Sequence, residues 1–175
     1  MIQPTAKTVC VPARFSSLPQ LLAMLSTHAV APEHVPSLLR AQLAVEELFV
    51  NSIHHGYGQE TDHPVWLTVQ HDDTVLRVVY TDQAQAFNPL SPDIAMSDDA
   101  GDDIEARKTG QRIGERIGGV GLRLIVNLAR CGHYTREEGR NVTQLEFALT
   151  PGSGLKTPLP DHPRPYGLPG DCPRA

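Results

Sequence analysis

Three polar residues follow one another at four-residue intervals in the segment EELFVNSIHHGY, namely Glu47, Asn51 and His55. On an α-helix, residues four apart lie on the same face, so these side chains would form one stripe. An amide oxygen can ligate a hard cation such as Mg2+, and a carboxylate can orient or deprotonate a hydroxyl nucleophile. The same spacing also fits a solvated helix edge, so the stripe alone leaves both interpretations open.

Two further segments contain residue types that suit a charged ligand. Asp82 ends an apolar stretch in YTDQAQAFNP, where its carboxylate could accept a hydrogen bond from a ligand amino group or simply form a turn. Gly118, Gly119 and Gly121 precede an apolar helical segment, and glycines there let backbone N–H groups approach an anion. Basic residues up to Arg116 come just before them and could neutralise phosphate, or balance a nearby acidic cluster.

The polar stripe requires a helix, which the apolar periodicity predicts over residues 37–57. The residues predicted to form its apolar face are Leu39, Leu43, Val50, Ile53 and Tyr57. Glu46 falls on the same face and is the one charged residue there. Before this helix, the alternating apolar pattern of residues 6–15 predicts a short edge strand. Ser16 and Ser17 are candidate N-terminal caps for a following helix that ends near residue 30.

Two segment pairs after the helix predict β-hairpins, residues 65–71 with 74–82 and residues 133–138 with 141–149. Between them, residues 83–117 lack periodicity and predict a long functional or disordered loop. The order is strand, helix, helix, hairpin, long loop, helix, hairpin. Segregated helices and antiparallel strands indicate an α+β two-layer sandwich rather than a doubly wound sheet.

Composition limits the classes of function. The 175 residues suit one domain over 1–150, followed by a tail over 151–175 that has seven of the fifteen prolines and is expected to be disordered or wrapped on the surface. A net charge of −5 without a basic stripe argues against direct nucleic-acid binding. No apolar stretch approaches the roughly 20 residues that span a membrane. Three widely separated cysteines predict reduced thiols in the cytoplasm.

In combination, the three chemical segments resemble the boxes of the GHKL ATPases, and they are most similar to the anti-sigma-factor serine-kinase branch. The likeness covers about residues 6–150. It implies a mixed, mostly antiparallel sheet with helices on one face, and ATP and Mg2+ as cofactors. It assigns Glu47 as the catalytic base and Asn51 as the Mg2+ ligand. The remaining ATP-contacting residues that it implies are His55, Asp82, Ala84, Ala86, Arg116, Gly118, Gly119, Val120, Gly121, Leu122 and Thr143.

The resemblance also implies a function and partners. Such proteins bind a sigma factor and phosphorylate a serine on a STAS-domain anti-anti-sigma protein, and they commonly form homodimers. One departure is that Ala84 and Ala86 stand where glycines are usual in the family. Alanine resists positive φ and adds a methyl group, so the nucleotide pocket could differ. The alternative is therefore a non-catalytic module that sequesters a partner on the same scaffold, with weak or no nucleotide binding.

Overall fold

A computed structural model describes residues 6–27, 32–91, 125 and 127–149. The strands are β1 (Lys7–Pro12), β2 (Pro64–His71), β3 (Val75–Asp82), β4 (Cys131–Glu137) and β5 (Arg140–Ala148). The helices are α1 (Leu18–Ser26) and α2 (Val35–Asn51), and a π-helical turn over Ser52–Tyr57 extends α2. Short 3-10 turns, Phe15–Ser17 and Pro32–His34, precede the two helices.

The five strands form one sheet in the order β1-β2-β3-β5-β4, and every pairing in it is antiparallel. Both predicted hairpins are confirmed, as is the edge position of the first strand. The second hairpin turns at Glu138 and Gly139, whose φ values of 48° and 77° suit a two-residue turn. Because β5 lies between β3 and β4, the end of β3 meets the start of β5, and Asp82 pairs with Asn141.

The first hairpin is fixed by the side chain of Asp72 in its turn. Oδ1 of this residue accepts hydrogen bonds from the backbone N–H groups of Thr74 and Val75, both at 2.9 Å. Partial burial opposes ionisation, but these bonds and the Arg77 guanidinium outweigh it and lower the pKa of Asp72 to about 2. The carboxylate therefore stays charged at neutral pH and holds the turn.

Helices α1 and α2 cover one face of the sheet, which confirms the α+β two-layer prediction. The buried apolar side chains of α2 are Leu38, Ala41, Ala44, Val45, Leu48 and Phe49. The predicted apolar face is wrong at Leu39 and Leu43, which are 53% and 46% exposed, whereas Ile53 is buried in the core and Tyr57 packs against it, as predicted. Glu46 is exposed as well and does not point into the core. The small side chains of Ala41 and Ala44 allow the helix to approach the sheet, so the buried face lies on their side.

The predicted helix 37–57 is divided in two. The α-helix ends at Asn51, and the chain continues as the π-helical turn until Gly58, whose φ of 78° ends it. π-Helical turns are rare and occur frequently at functional sites. At the first helix, Ser17 occupies the N-cap position, as predicted, but its side chain makes no capping hydrogen bond.

Several predictions fall on other parts of the chain. Residues 92–124, which include most of the predicted loop and the glycine segment, lie outside the described residues, as does the tail 151–175. No described helix is long and apolar enough to cross a membrane. Cys131 is a free thiol, whereas Cys10 is disulfide-bonded, so the expectation of three reduced thiols is wrong for Cys10.

Candidate functional site

A cavity of about 120 Å³ opens where the end of α2 and the π-helical turn approach the ends of β3 and β5. Six predicted ATP-contacting residues line it together: Asn51, His55, Asp82, Ala84, Ala86 and Thr143. Glu47 lies one helical turn before Asn51, is partly exposed and is not among the lining residues. The predictions at Arg116, Gly118, Gly119, Val120, Gly121 and Leu122 lie outside the described residues.

Asp82 is the buried carboxylate of this cavity and is 5% exposed. Its Oδ1 accepts hydrogen bonds from Nδ2 of Asn141 at 2.7 Å and from the N–H of Ala84 at 2.9 Å. Its Oδ2 accepts one hydrogen bond, from the Ser52 hydroxyl at 2.7 Å. A carboxylate can accept about four hydrogen bonds, so Oδ2 retains room for one more donor. This free position can bind an N–H group of a ligand in the cavity.

The Ser52 hydroxyl is itself oriented by a buried phenol. Tyr80 is 2% exposed, and its hydroxyl donates to Ser52 Oγ at 2.8 Å. Burial raises the pKa of Tyr80 well above its ordinary value, and the charge of Asp82 adds to this effect. Tyr80 therefore stays protonated at neutral pH and donates to Ser52 Oγ, which leaves the Ser52 proton for Asp82 or for the carbonyl oxygen of Leu48 at 2.9 Å.

The loop after β3 meets the π-helical turn in two places, through one hydrogen bond and one close approach. The N–H of Gln83 donates to the Tyr57 hydroxyl at 2.9 Å, and burial raises the pKa of Tyr57 to about 12. A Cβ built on Gly56 would lie 2.5 Å from the Cβ of Ala84, so only glycine fits there beside Ala84. Neither Ala84 nor Ala86 has positive φ, so alanine is compatible with this loop conformation.

Asn51 supplies the oxygen suited to a cation. The residue is 7% exposed, and its Nδ2 donates to the carbonyl oxygen of Glu47 at 2.8 Å. That bond fixes the amide orientation and leaves Oδ1 without a hydrogen-bond partner among the described residues. Amide oxygens are suitable Mg2+ ligands. Within those same residues, no group of three or more His, Cys, Asp or Glu side chains could hold a metal.

Three residues that hold the site were not predicted from the sequence: Ser52, Tyr80 and Asn141. Ser52 and Tyr80 look like ordinary core-flanking positions in the sequence. Asn141 is recognisable only when β5 is known to pair with β3, because that pairing places it opposite Asp82. The signal in the sequence is a polar residue at the start of a strand, which is too common to identify a site.

Comparison with known protein families gives one match. The family of histidine kinase-like ATPase domains matches residues 11–147, a range that includes every residue lining the cavity. No curated protein matches the chain at a significant level.

Proposed function

The chain belongs to the histidine kinase-like ATPase domain family, and from this premise we propose that it is an ATP-binding anti-sigma regulatory factor with serine-protein kinase activity. The observation that supports ATP binding most directly is the Asp82 carboxylate, which is buried in the cavity and retains one acceptor position on Oδ2. Its proposed partner is the exocyclic amino group of adenine. Thr143 lines the same cavity, and its hydroxyl has no hydrogen-bond partner among the described residues. Its proposed role is to contact the base as well.

The triphosphate would extend from the base toward the end of α2, where Asn51 and His55 line the cavity. Asn51 Oδ1 is the residue atom suited to hold Mg2+ there. When bound, the ion would neutralise phosphate charge, which phosphoryl transfer requires in addition to positioning. The two proposed ligand contacts thus differ in chemistry, with a carboxylate for the base and an amide oxygen for the metal.

The proposed reaction transfers the γ-phosphoryl group of ATP to a serine of the antagonist protein. The serine oxygen forms a bond to the γ-phosphorus, and the bond from that phosphorus to the β–γ bridging oxygen breaks, which releases ADP. The serine hydroxyl proton passes to Glu47, one helical turn from Asn51. The proposed antagonist is a STAS-domain anti-anti-sigma protein, the second proposed partner is a sigma factor, and the chain is proposed to act as a homodimer.

The test mixes the protein with Mg-ATP and a STAS-domain protein and measures phosphate incorporation into serine. Glu47→Ala should retain ATP affinity and lower the transfer rate by roughly 100-fold or more, the usual effect of losing a general base. Glu46→Ala is the matched control, because Glu46 is adjacent on the same helix and exposed to solvent. Its transfer rate should equal that of the unmodified protein. Unchanged transfer in Glu47→Ala would exclude its role as base.

A second candidate function is partner sequestration without catalysis. The observation that favours it is the position of Glu47, which is not among the residues that line the cavity. In that case no phosphate would reach serine in either the unmodified protein or Glu46→Ala, and calorimetry would detect weak ATP binding or none. Transfer by the unmodified protein would exclude this candidate.

A further inference from the structure

We propose that Asn141 is a positioning residue that fixes the Asp82 carboxylate and the loop over residues 84–87, and that it thereby sets the affinity and selectivity of the cavity for a nucleobase. This inference rests on the proposed binding of ATP, and it concerns only the base end of that site. Asn141 is 5% exposed and lines the cavity beside Asp82.

The amide of Asn141 bonds to four points of the segment that forms the cavity wall. Its Nδ2 donates to Asp82 Oδ1 at 2.7 Å, to the carbonyl oxygen of Gln85 at 2.9 Å and, more weakly, to that of Ala84 at 3.5 Å. Its Oδ1 accepts from the N–H of Phe87 at 3.3 Å. One side chain therefore joins the strand end and the following loop, so that neither can move without breaking a buried hydrogen bond.

Strand β4 fixes the orientation of this amide from behind. Oδ1 of Asn141 also accepts hydrogen bonds from the Tyr134 hydroxyl at 2.8 Å and from Nη1 of Arg136 at 2.7 Å. The same Nη1 donates to the carbonyl oxygen of Ala84 at 2.8 Å. Rotating the amide would direct its NH2 group at these donors, so Nδ2 must face Asp82.

This arrangement determines which ligand atoms Asp82 can accept. Oδ1 already receives two hydrogens, from Asn141 and Ala84, so a base must donate to Oδ2 on the Ser52 side. A base with an exocyclic amine can donate there. A base with a carbonyl oxygen at that position would place lone pair against lone pair, and buried polar sites discriminate strongly in such cases. Without Asn141, Asp82 could rotate and present Oδ1 as well, so a base held in a different orientation could donate to it from a ring N–H, and this selectivity would fall.

The experiment compares Asn141→Ala with Ser37→Ala by calorimetric titration with ATP, ADP and GTP in Mg2+, and by thermal unfolding without nucleotide. Ser37 is a matched control, because it is buried and its hydroxyl donates to the carbonyl oxygen of Ala148 at the other end of β5. Asn141→Ala should raise the Kd for ATP and for ADP by the same factor, about tenfold or more, and reduce the preference for ATP over GTP. Ser37→Ala should lower Tm and leave each Kd within about twofold.

A second variant serves in case Asn141→Ala does not fold. Arg136 is exposed, so Arg136→Met removes the bonds to Asn141 and Ala84 with little loss of core packing. Its Kd for ATP and for ADP should rise together by about threefold.

The outcomes separate this inference from the proposed function. If the unmodified protein binds ATP and both variants retain its Kd and its preference over GTP, Asn141 is not a positioning residue and the proposed function stands. An equal loss of ATP and GTP affinity, together with a lower Tm, would show a purely structural role and would also overturn the inference. If the unmodified protein binds no ATP at millimolar concentration, both conclusions are wrong.

Discussion

The buried carboxylate of the cavity, Asp82, accepts hydrogen bonds from three separate elements of the fold. Ser52 comes from the π-helical turn, the N–H of Ala84 from the loop after β3, and Asn141 from β5. If one of these elements moved away, a buried polar group would lose its hydrogen-bond partner, at a cost of about 1–3 kcal/mol. Asp82 therefore couples the positions of the three elements. The direction of its remaining acceptor position is therefore a property of the fold and not of the side chain alone.

Gly56 offers a test of this coupling at a single residue. Gly56→Ala would place a methyl group about 2.5 Å from the Cβ of Ala84, so the loop must shift and displace the N–H that Ala84 donates to Asp82. Overpacking of this kind costs about 1–3 kcal/mol. We expect a free energy of unfolding lower by that amount and a raised Kd for ATP. Denaturant titration and calorimetry measure the two effects.

The control for this prediction is the double variant Gly56→Ala with Ala84→Gly, which exchanges the two side chains. Ala84→Gly alone should cost only about 0.4–1 kcal/mol, through the entropy of the unfolded chain. If the contact is the cause, the double variant should recover most of the lost stability. Simple additivity of the two single changes would contradict the explanation, because residues in contact should not be additive.

At the level of elements, helix α2 shows which features the sequence could predict and which it could not. The two hairpins were predictable because turn residues mark them, and the helix was predictable from its periodicity. The buried face was not, because Leu39 and Leu43 form one periodic set while Ala41, Val45 and Leu48 form another. The buried set includes Leu38, Leu48 and Phe49 and is no less apolar than the exposed one, so hydrophobic spacing alone does not decide which set faces the core.

This correction makes a prediction about stability. Leu43→Ala should change the free energy of unfolding by no more than about 0.5 kcal/mol, because the side chain is 46% exposed. Leu48→Ala should cost about 2–5 kcal/mol, because that residue is 4% exposed and its loss leaves a cavity. Urea titration of both variants measures the difference. Equal costs would mean that the helix is rotated from the orientation described.

The residues of the site also fall into two groups, those that the sequence predicted and those that it did not. Asn51, His55, Asp82 and Thr143 were predicted to share one site because the segments resemble a family, and they do line one cavity. Asn141 was missed because its role depends on the sheet order, in which β5 lies between β3 and β4. Residue types and spacing do not specify which strands become neighbours when a long segment separates them. A residue whose function arises from such a pairing is therefore visible only in the folded chain.

For the whole molecule, the cavity connects segments that are distant in the chain. Its walls come from residues 48–56, 80–89 and 141–143, so a ligand in it contacts both hairpins and the helical layer. Binding to the folded state alone adds RT ln(1 + [L]/Kd), or about 2.7 kcal/mol at a ligand concentration 100 times Kd. Because the ligand bridges all these segments, the gain should apply to the unfolding of the whole domain rather than to one local region.

Mg-ATP at such a concentration should therefore raise Tm by roughly 5–11 °C, since about 1 kcal/mol shifts a domain of this size by 2–4 °C. Thermal scans followed by far-UV circular dichroism and by Trp66 fluorescence should shift together, because both probes report on one cooperative unit. Asn51→Ala should lose the part of the shift that depends on Mg2+ and keep the part that ATP gives in chelator, since Asp82 still binds the base. A shift that is identical with and without Mg2+ in the unmodified protein would contradict the assignment of Asn51 to the metal.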